Sequence, residues 1–272
     1  MSVRVYATQD SDQENLVLSA FYDGCPESKL LTRLGDYAPS DVAVVMGVYK
    51  KSVPRSFERG YVIAEQKKRG LTTVILETGY INRGDGPQNH YAAGLNGLNG
   101  RADFKNANSP KTRAEGIRLH PWRQGKNIVL CGQVPWDASV DFTNHREWLE
   151  QAVRAIFLRT DSPVVFRPHP KAKLPPIPGT IYSTRSLAED LEDAKCCVTF
   201  NSNSGVEAAL AGVPVFAFDE GSMAYSIANK SFDKLDEPEM PDRQQWLNDL
   251  CYAQWTPQEM SEGLAWKHLF SV

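Results

Sequence analysis

Short apolar segments alternate with amphipathic helical stretches twice along this chain, and that alternation constrains the fold more than any other feature. A strand that leads through a helix into another strand must cross over, and the stable solution is a parallel sheet covered by helices. The first block runs from a strand at residues 3–7 through a helical stretch at 14–22, a strand at 41–47, a helix at 53–69 and a strand at 72–77. Gly70 follows that helix, where a C-capping glycine is expected. The second block places strands at 127–131, 164–167, 180–182, 196–200 and 213–218, with helices at 144–159, 187–194 and 205–211. With 272 residues, the chain has room for two such domains.

The expected fold class is therefore α/β: two Rossmann-like domains, residues 1–122 and 123–224, followed by a C-terminal helical segment at 225–272. That tail is tryptophan-rich, with Trp246, Trp255 and Trp266 at intervals that match no solenoid period. Between residues 78 and 125 the periodicity fades into Gly, Asn, Arg and aromatic residues, too long for an ordinary connection and so read as a functional loop region.

Hydrophobic content of 42% and charged content of 23% are ordinary for a globular protein. No apolar run approaches the roughly 20 residues that cross a bilayer, and the N-terminus has no basic-then-apolar signal pattern. A cytoplasmic protein with no membrane partner is expected. The five cysteines, Cys25, Cys131, Cys196, Cys197 and Cys251, are odd in number and lack CxxC spacing, which predicts buried thiols, neither disulfides nor zinc ligands.

The net charge of −3 conceals an asymmetry: residues 201–272 hold eleven acidic against four basic side chains, so residues 1–200 carry the balance of +4. Arg101, Lys105, Lys111, Arg113, Arg118, Arg123 and Lys126 crowd one stretch against Asp103 and Glu115 alone. Such a stretch is either a solvated loop or the face of an anionic ligand.

Ligands of open α/β sheets bind outside the carboxyl ends of the strands. Arg167-Pro168-His169-Pro170-Lys171 follows one strand and offers three cationic donors on a proline-stiffened turn. Asn201-Ser202-Asn203-Ser204-Gly205 lies between a strand and a helix, where small polar side chains either cap the helix or hold an anion, or both; Glu207 one turn inside would meet ribose hydroxyls. Gln133 begins the loop after the 127–131 strand, and Asp137 lies farther along it. On the other side, Glu77-Thr78-Gly79-Tyr80, Arg83 and Asp85 follow the last strand of the first block, with His90 behind them. Glu77 and Asp85 are the candidate general bases for deprotonating a hydroxyl nucleophile.

Taken together, Glu77-Thr78-Gly79-Tyr80-Ile81, Asn96-Gly97, Arg167-Pro168-His169-Pro170, and Ser202 to Glu207 ahead of Gly212-Val213-Pro214-Val215 resemble the capsule-polysaccharide-synthesis glycosyltransferases of GT-B fold. In them the His-Pro and Ser-rich motifs bind donor phosphates. The resemblance covers roughly residues 72–220. The compact length and the run from Asp242-Arg243-Gln244-Gln245-Trp246-Leu247 to Gln254-Trp255 also resemble small bacteriophage proteins of that superfamily, among them the TET-associated glycosyltransferases, which are implied to glycosylate 5-hydroxymethylpyrimidines in DNA.

The resemblance implies an inverting glycosyltransferase with a nucleotide-sugar co-substrate, a UDP-sugar first, and no other cofactor. The donor's phosphates would meet Arg167, His169, Lys171, Gln133, Asn201, Ser202, Asn203 and Ser204, with Glu207 on the ribose. No DxD pair follows a strand of the second block, so no metal is expected. The first acceptor implied is hydroxymethylated DNA, with Arg83, His90, Tyr91, Asn96, Arg101, Lys105, Arg113 and Arg118 on the acceptor side. Trp122, Tyr91 and Phe104 would either stack on a base or belong to the core. A glycan acceptor is the alternative, and a nucleotide- or DNA-binding module without catalysis is the other class.

Overall fold

The computed structural model describes residues 1–7, 12–26, 28–48, 56–84, 86–140 and 144–270. In chain order the elements are β1 (Val3–Ala7), α1 (Asp12–Gly24), β2 (Lys29–Arg33), β3 (Val42–Met46), α2 (Phe57–Lys68), β4 (Thr72–Thr78), β5 (Tyr91–Leu95), β6 (Asn127–Cys131), α3 (His145–Phe157), β7 (Val164–Arg167), β8 (Ile181–Tyr182), α4 (Leu187–Leu191), β9 (Ala194–Thr199), α5 (Ser204–Leu210), β10 (Val215–Ala217), α6 (Gln244–Cys251), β11 (Gln254–Trp255), α7 (Pro257–Ser261) and α8 (Leu264–Phe270). The chain forms two compact units, one of residues 1–115 with 247–272 and one of residues 116–246. The tail expected as one helical segment is thus divided between them. Its first part holds 3-10 turns at Tyr225–Ile227 and Phe232–Lys234, and a short strand interrupts the helices that follow.

The first unit is built on one sheet in the order β11-β5-β4-β3-β1-β2. Strands β2, β1, β3 and β4 are parallel, while β5 pairs antiparallel with β4 and β11 antiparallel with β5. The order 2-1-3-4-5 is that of flavodoxin-like sheets. The central strand β3 reads Val-Ala-Val-Val-Met and is buried throughout, as a strand covered on both faces must be. Val42, Val44 and Met46 join the core formed with α1, Trp255 and Trp266, whereas Ala43 and Val45 face the opposite core with Val62 of α2. Gly70 does take the left-handed backbone expected at the end of α2, with φ of 67°.

Strand β5 lies inside the region read as a functional loop. Its Tyr-Ala-Ala-Gly-Leu sequence lacks polar alternation because both faces are covered. A Cβ on Gly94 would sit 2.6 Å from the Ala102 methyl carbon and 2.8 Å from the Phe104 ring. Phe104 is accordingly core, and so is Tyr91, fully buried with its hydroxyl accepting from the Gly86 N–H at 3.1 Å. Of the two alternatives left open for these rings, stacking on a base or the core, both take the core. Asn96 is a turn residue: its backbone is left-handed, and its side-chain oxygen accepts the Thr73 N–H at 2.8 Å, which removes it from the acceptor-facing set.

The second unit carries a parallel sheet in the order β10-β9-β6-β7-β8. Counted within the unit this is 3-2-1-4-5, the Rossmann order. Helix α3 buries His145, Leu149, Ala152, Val153 and Ile156, a stripe at helical spacing set against β6, β7 and β9. Asn144 caps it by accepting the Glu147 N–H. All five cysteines are buried free thiols, and burial pushes Cys25 and Cys196 up to about 12. Among the described residues no helix is long and apolar enough to cross a membrane.

Candidate functional site

In the second unit the strand order reverses between β6 and β9, and the carboxyl ends of two such strands flank the natural ligand crevice of an open sheet. Gln133 follows β6 and Asn201 follows β9, and the two are joined. The Gln133 Nε2 donates to Asn201 Oδ1 at 2.7 Å, and the Asn201 N–H donates to Gln133 Oε1 at 3.0 Å. Asn201 Nδ2 then donates to the Ser139 carbonyl at 2.9 Å and to Asp219 Oδ1 at 2.8 Å. The loops after β6, β9 and β10 are thereby tied into one floor. Gln133 and Asn201 are 6% and 5% exposed, so they shape this floor instead of presenting themselves to a donor as expected.

His145 extends the same network. Its Nε2 accepts the Gln133 N–H at 2.9 Å, which requires the neutral ring with its proton on Nδ1. Burial drives its pKa down to about 4, and Trp148 stacks on the ring with centroids 5.7 Å apart. Nothing in the sequence distinguishes His145 from an ordinary helical residue, so reading residues alone passes over it.

Other groups able to meet an anion follow the strands of the same sheet. Ser202 is half-buried; its Oγ accepts the Ser204 N–H at 3.2 Å, and its own N–H donates to Thr199 Oγ1 at 3.0 Å. Ser204 Oγ is buried beside the Cys131 thiol. Asn203 Nδ2 lies 3.4 Å from Glu207 Oε1, and Glu207 itself is exposed on the outer side of α5. At the end of β7, Arg167 donates to Asp190 Oδ2 at 3.2 Å and to the Arg185 carbonyl, so its guanidinium braces the strand end in addition to any ligand role. His169 is half-buried, and its Nδ1 accepts the Lys171 N–H at 3.1 Å. That bond fixes the tautomer with the proton on Nε2, the donor a phosphate oxygen needs. Lys171 is exposed beside it.

In the first unit, Glu77 closes β4. Its Oε1 accepts the Thr78 N–H at 2.9 Å, while Oε2 lies 3.8 Å from where a Cβ of Gly47 would stand. The same point is 3.3 Å from Arg59 Nη1, so a side chain at Gly47 would crowd the guanidinium. Arg59 in turn pairs with Glu14. Neither Arg59 nor Glu14 belongs to a recognisable motif. Asp85 lies outside the described residues.

The remaining acceptor-side candidates scatter. Arg83 and Arg101 are exposed, and Lys105 is exposed and paired with Asp103 at 2.6 Å. His90 is half-buried; burial lowers its pKa, Glu259 opposes and Arg113 reinforces the shift. Arg113 is a structural clamp: it contacts Glu259 with both terminal nitrogens at 2.5 and 3.0 Å, donates to the carbonyls of Cys251 and Gln254, and lies 4.1 Å from the Trp255 ring. A guanidinium so engaged has four of its five N–H groups committed within the protein. Trp122 is likewise occupied, with Arg243 over its ring at 3.6 Å and its Nε1 donating to Pro241. The basic stretch is also divided, with Arg101 to Arg113 in the first unit and Arg118 to Lys126 in the second. Among the described residues no three His, Cys, Asp or Glu side chains gather as a metal site would require.

No protein-family model and no curated protein sequence matches the chain. Solved structures do. The β-Kdo 2,7 transferase of Thermosulfurimonas dismutans KpsC superposes with a TM-score of 0.58 at 16% identity, over 97% of this chain and 98% of that one. The β-Kdo 2,4 transferase of the same organism's KpsC gives 0.58 at 13% identity, over 93% and 90%. At these identities the likeness is one of fold: two Rossmann-like units in the GT-B arrangement of elements.

Proposed function

We propose that the chain is a glycosyltransferase that moves a sugar from a nucleotide-activated donor to a hydroxyl of a glycan. The observation that carries this reading is that the Gln133–Asn201 floor, His169 and the Ser202–Ser204 turn follow the carboxyl ends of three neighbouring parallel strands, β6, β7 and β9. Donors held there by a rigid scaffold stabilise the charge that grows on a departing phosphate without reorganising. We take Glu77 of the first unit as the candidate general base. As a carboxylate at a strand end, with one oxygen tied to the backbone, it suits a general base that takes the acceptor's proton as the anomeric carbon is attacked. That sequence inverts the anomeric centre and routes no step through a metal.

A glycan acceptor is preferred to hydroxymethylated DNA because four of the groups expected to hold DNA are otherwise engaged: Tyr91 and Phe104 in the core, Arg113 with Glu259, and Trp122 under Arg243. The Kdo transferases of like fold add nucleotide-activated Kdo to the donors worth trying. The test is incubation with a panel of UDP-sugars and activated Kdo, each with acidic glycans or with hydroxymethylcytosine duplex, followed by mass spectrometry of acceptor and released nucleotide. Sugar on the glycan supports the reading, sugar on DNA alone replaces the acceptor, and intact donor throughout removes catalysis.

A further inference from the structure

We infer that Gln254, far from β4 in the chain, is a positioning residue for Glu77; the inference rests on Glu77 as the general base of the proposed reaction. Gln254 is 2% exposed, and its side-chain amide bonds to the turn that follows Glu77 and Thr78. Its Oε1 accepts the N–H of Tyr80 at 2.7 Å and of Ile81 at 3.0 Å, and its Nε2 donates to the Ile81 carbonyl at 3.2 Å. A side-chain amide thus takes the place that a neighbouring strand would fill beyond the end of β4.

The sheet register explains why it reaches. Gln254 faces Ala92 across β11 and β5, and Glu77 faces Ala92 across β5 and β4. Register partners point to the same face, so Glu77, Ala92 and Gln254 form one row, and the alanine methyl in the middle leaves space for the turn to fold over it. Gly79 permits the approach: a Cβ there would lie 2.5 Å from the His90 carbonyl oxygen and 3.0 Å from Gln254 Oε1. The far end of the row is anchored in turn, because Arg113 Nη2 donates to the Gln254 carbonyl at 3.0 Å while gripping Glu259. The turn next to the base is therefore referenced to a rigid clamp. A displacement of the order of 1 Å at a reacting group costs about a hundredfold in rate.

The experiment compares Gln254→Ala, Gln254→Glu and Glu77→Gln with the unchanged protein. It measures sugar transfer across pH, donor affinity by titration, thermal unfolding, and hydrogen exchange of the amides of residues 77–81. Loss of transfer in Glu77→Gln with donor affinity intact supports the base; full activity there removes the base reading, and the exchange data still decide whether Gln254 holds the turn. For Gln254→Ala the expectation is a kcat lower by about 10- to 100-fold, an unchanged donor Kd, and faster exchange confined to residues 79–81. Gln254→Glu keeps an acceptor for both N–H groups and sets a buried carboxyl, favoured in its neutral form, against the Ile81 carbonyl, so kcat and exchange should lie closer to the parent than in Gln254→Ala. A folded Gln254→Ala with unchanged kcat and exchange, or a folded Gln254→Glu no closer to the parent than Gln254→Ala, overturns the inference.

Discussion

Gln133 and Asn201 hold each other by two hydrogen bonds, one from side chain to side chain at 2.7 Å and one from the Asn201 backbone to the Gln133 side chain at 3.0 Å. They stand at the ends of neighbouring parallel strands, β6 and β9, so the spacing of the two strand-end loops is set by a buried amide pair and not by loop backbone alone. Truncating either partner leaves buried polar groups unsatisfied, which costs about 1–3 kcal/mol. Asn201→Ala, which also strips the bonds to Ser139 and Asp219, should fall at the upper end of that range in urea unfolding and should loosen donor binding. A variant as stable as the parent would mean the pair is not a structural tie.

His169→Ala should affect turnover far more than folding. Its Nδ1 accepts the neighbouring Lys171 N–H, a modest local bond, and Nε2–H is the donor proposed for the leaving phosphate. Loss of a charge-assisted bond of about 1.5–3 kcal/mol corresponds to a kcat lower by roughly 10- to 150-fold. Steady-state kinetics beside a melting curve decide it, and unchanged kcat would reduce His169 to a turn residue.

Ser204 offers a cleaner separation of folding from binding. Its buried Oγ has at most a weak bond with the Cys131 thiol, so Ser204→Ala should change stability by less than about 1 kcal/mol. Donor affinity should fall by about 1.5–3 kcal/mol if that hydroxyl meets the phosphate. Titration calorimetry with the nucleotide product reads the affinity; no change there would take Ser204 out of the site.

Arg113→Ala should act on stability, not on acceptor binding. The pair with Glu259 is partly buried, between the small worth of surface pairs and the 3–5 kcal/mol of buried ones, so a loss of about 2 kcal/mol is expected. Burial alone would raise the Glu259 pKa, but the bonds from Arg113 and Thr256 hold it below the ordinary carboxylate value. A depressed carboxylate contributes stability above its unfolded pKa and loses it as pH falls through the folded one, so the Arg113 effect should shrink below about pH 4. Equal loss at pH 3 and pH 7, or a weaker salt dependence of acceptor binding, would contradict the clamp.

His145 makes the second unit acid-sensitive. With an ordinary value of 6.5 when unfolded and about 4 when folded, the native state binds fewer protons than the unfolded chain between those limits. Stability is complete above about pH 6.5 and declines as pH falls toward 4, by an amount of the order of 3 kcal/mol. Denaturation midpoints for the unchanged protein and His145→Gln, measured from pH 4 to 7.5, should converge at the acid end. Parallel curves would show that His145 carries no such linkage.

The alternation of strands and helices, and with it the α/β class, was legible in the sequence because apolar periodicity and short punctuating turns are local properties. β6, β7 and α3 fall within a residue or two of their expected limits, and the strand-end motifs at Gln133, His169 and Asn201 do lie at one end of one sheet. The sequence could not reveal which of those polar groups would satisfy each other. Gln133 and Asn201 have the chemistry of ligand-binding residues, and only the adjacency of β6 and β9 turns them toward one another. Likewise β5 has no alternating pattern, and β11 is two residues long, so each exists as a strand only because its neighbour supplies the missing hydrogen bonds. Arg113 read as a free cation until the tertiary structure brought Glu259 and Trp255 to it from the far end of the chain. Periodicity is a property of neighbours in sequence, whereas hydrogen-bond satisfaction and charge pairing belong to neighbours in space, and the assignment of Gln254 to Glu77 rests entirely on the second.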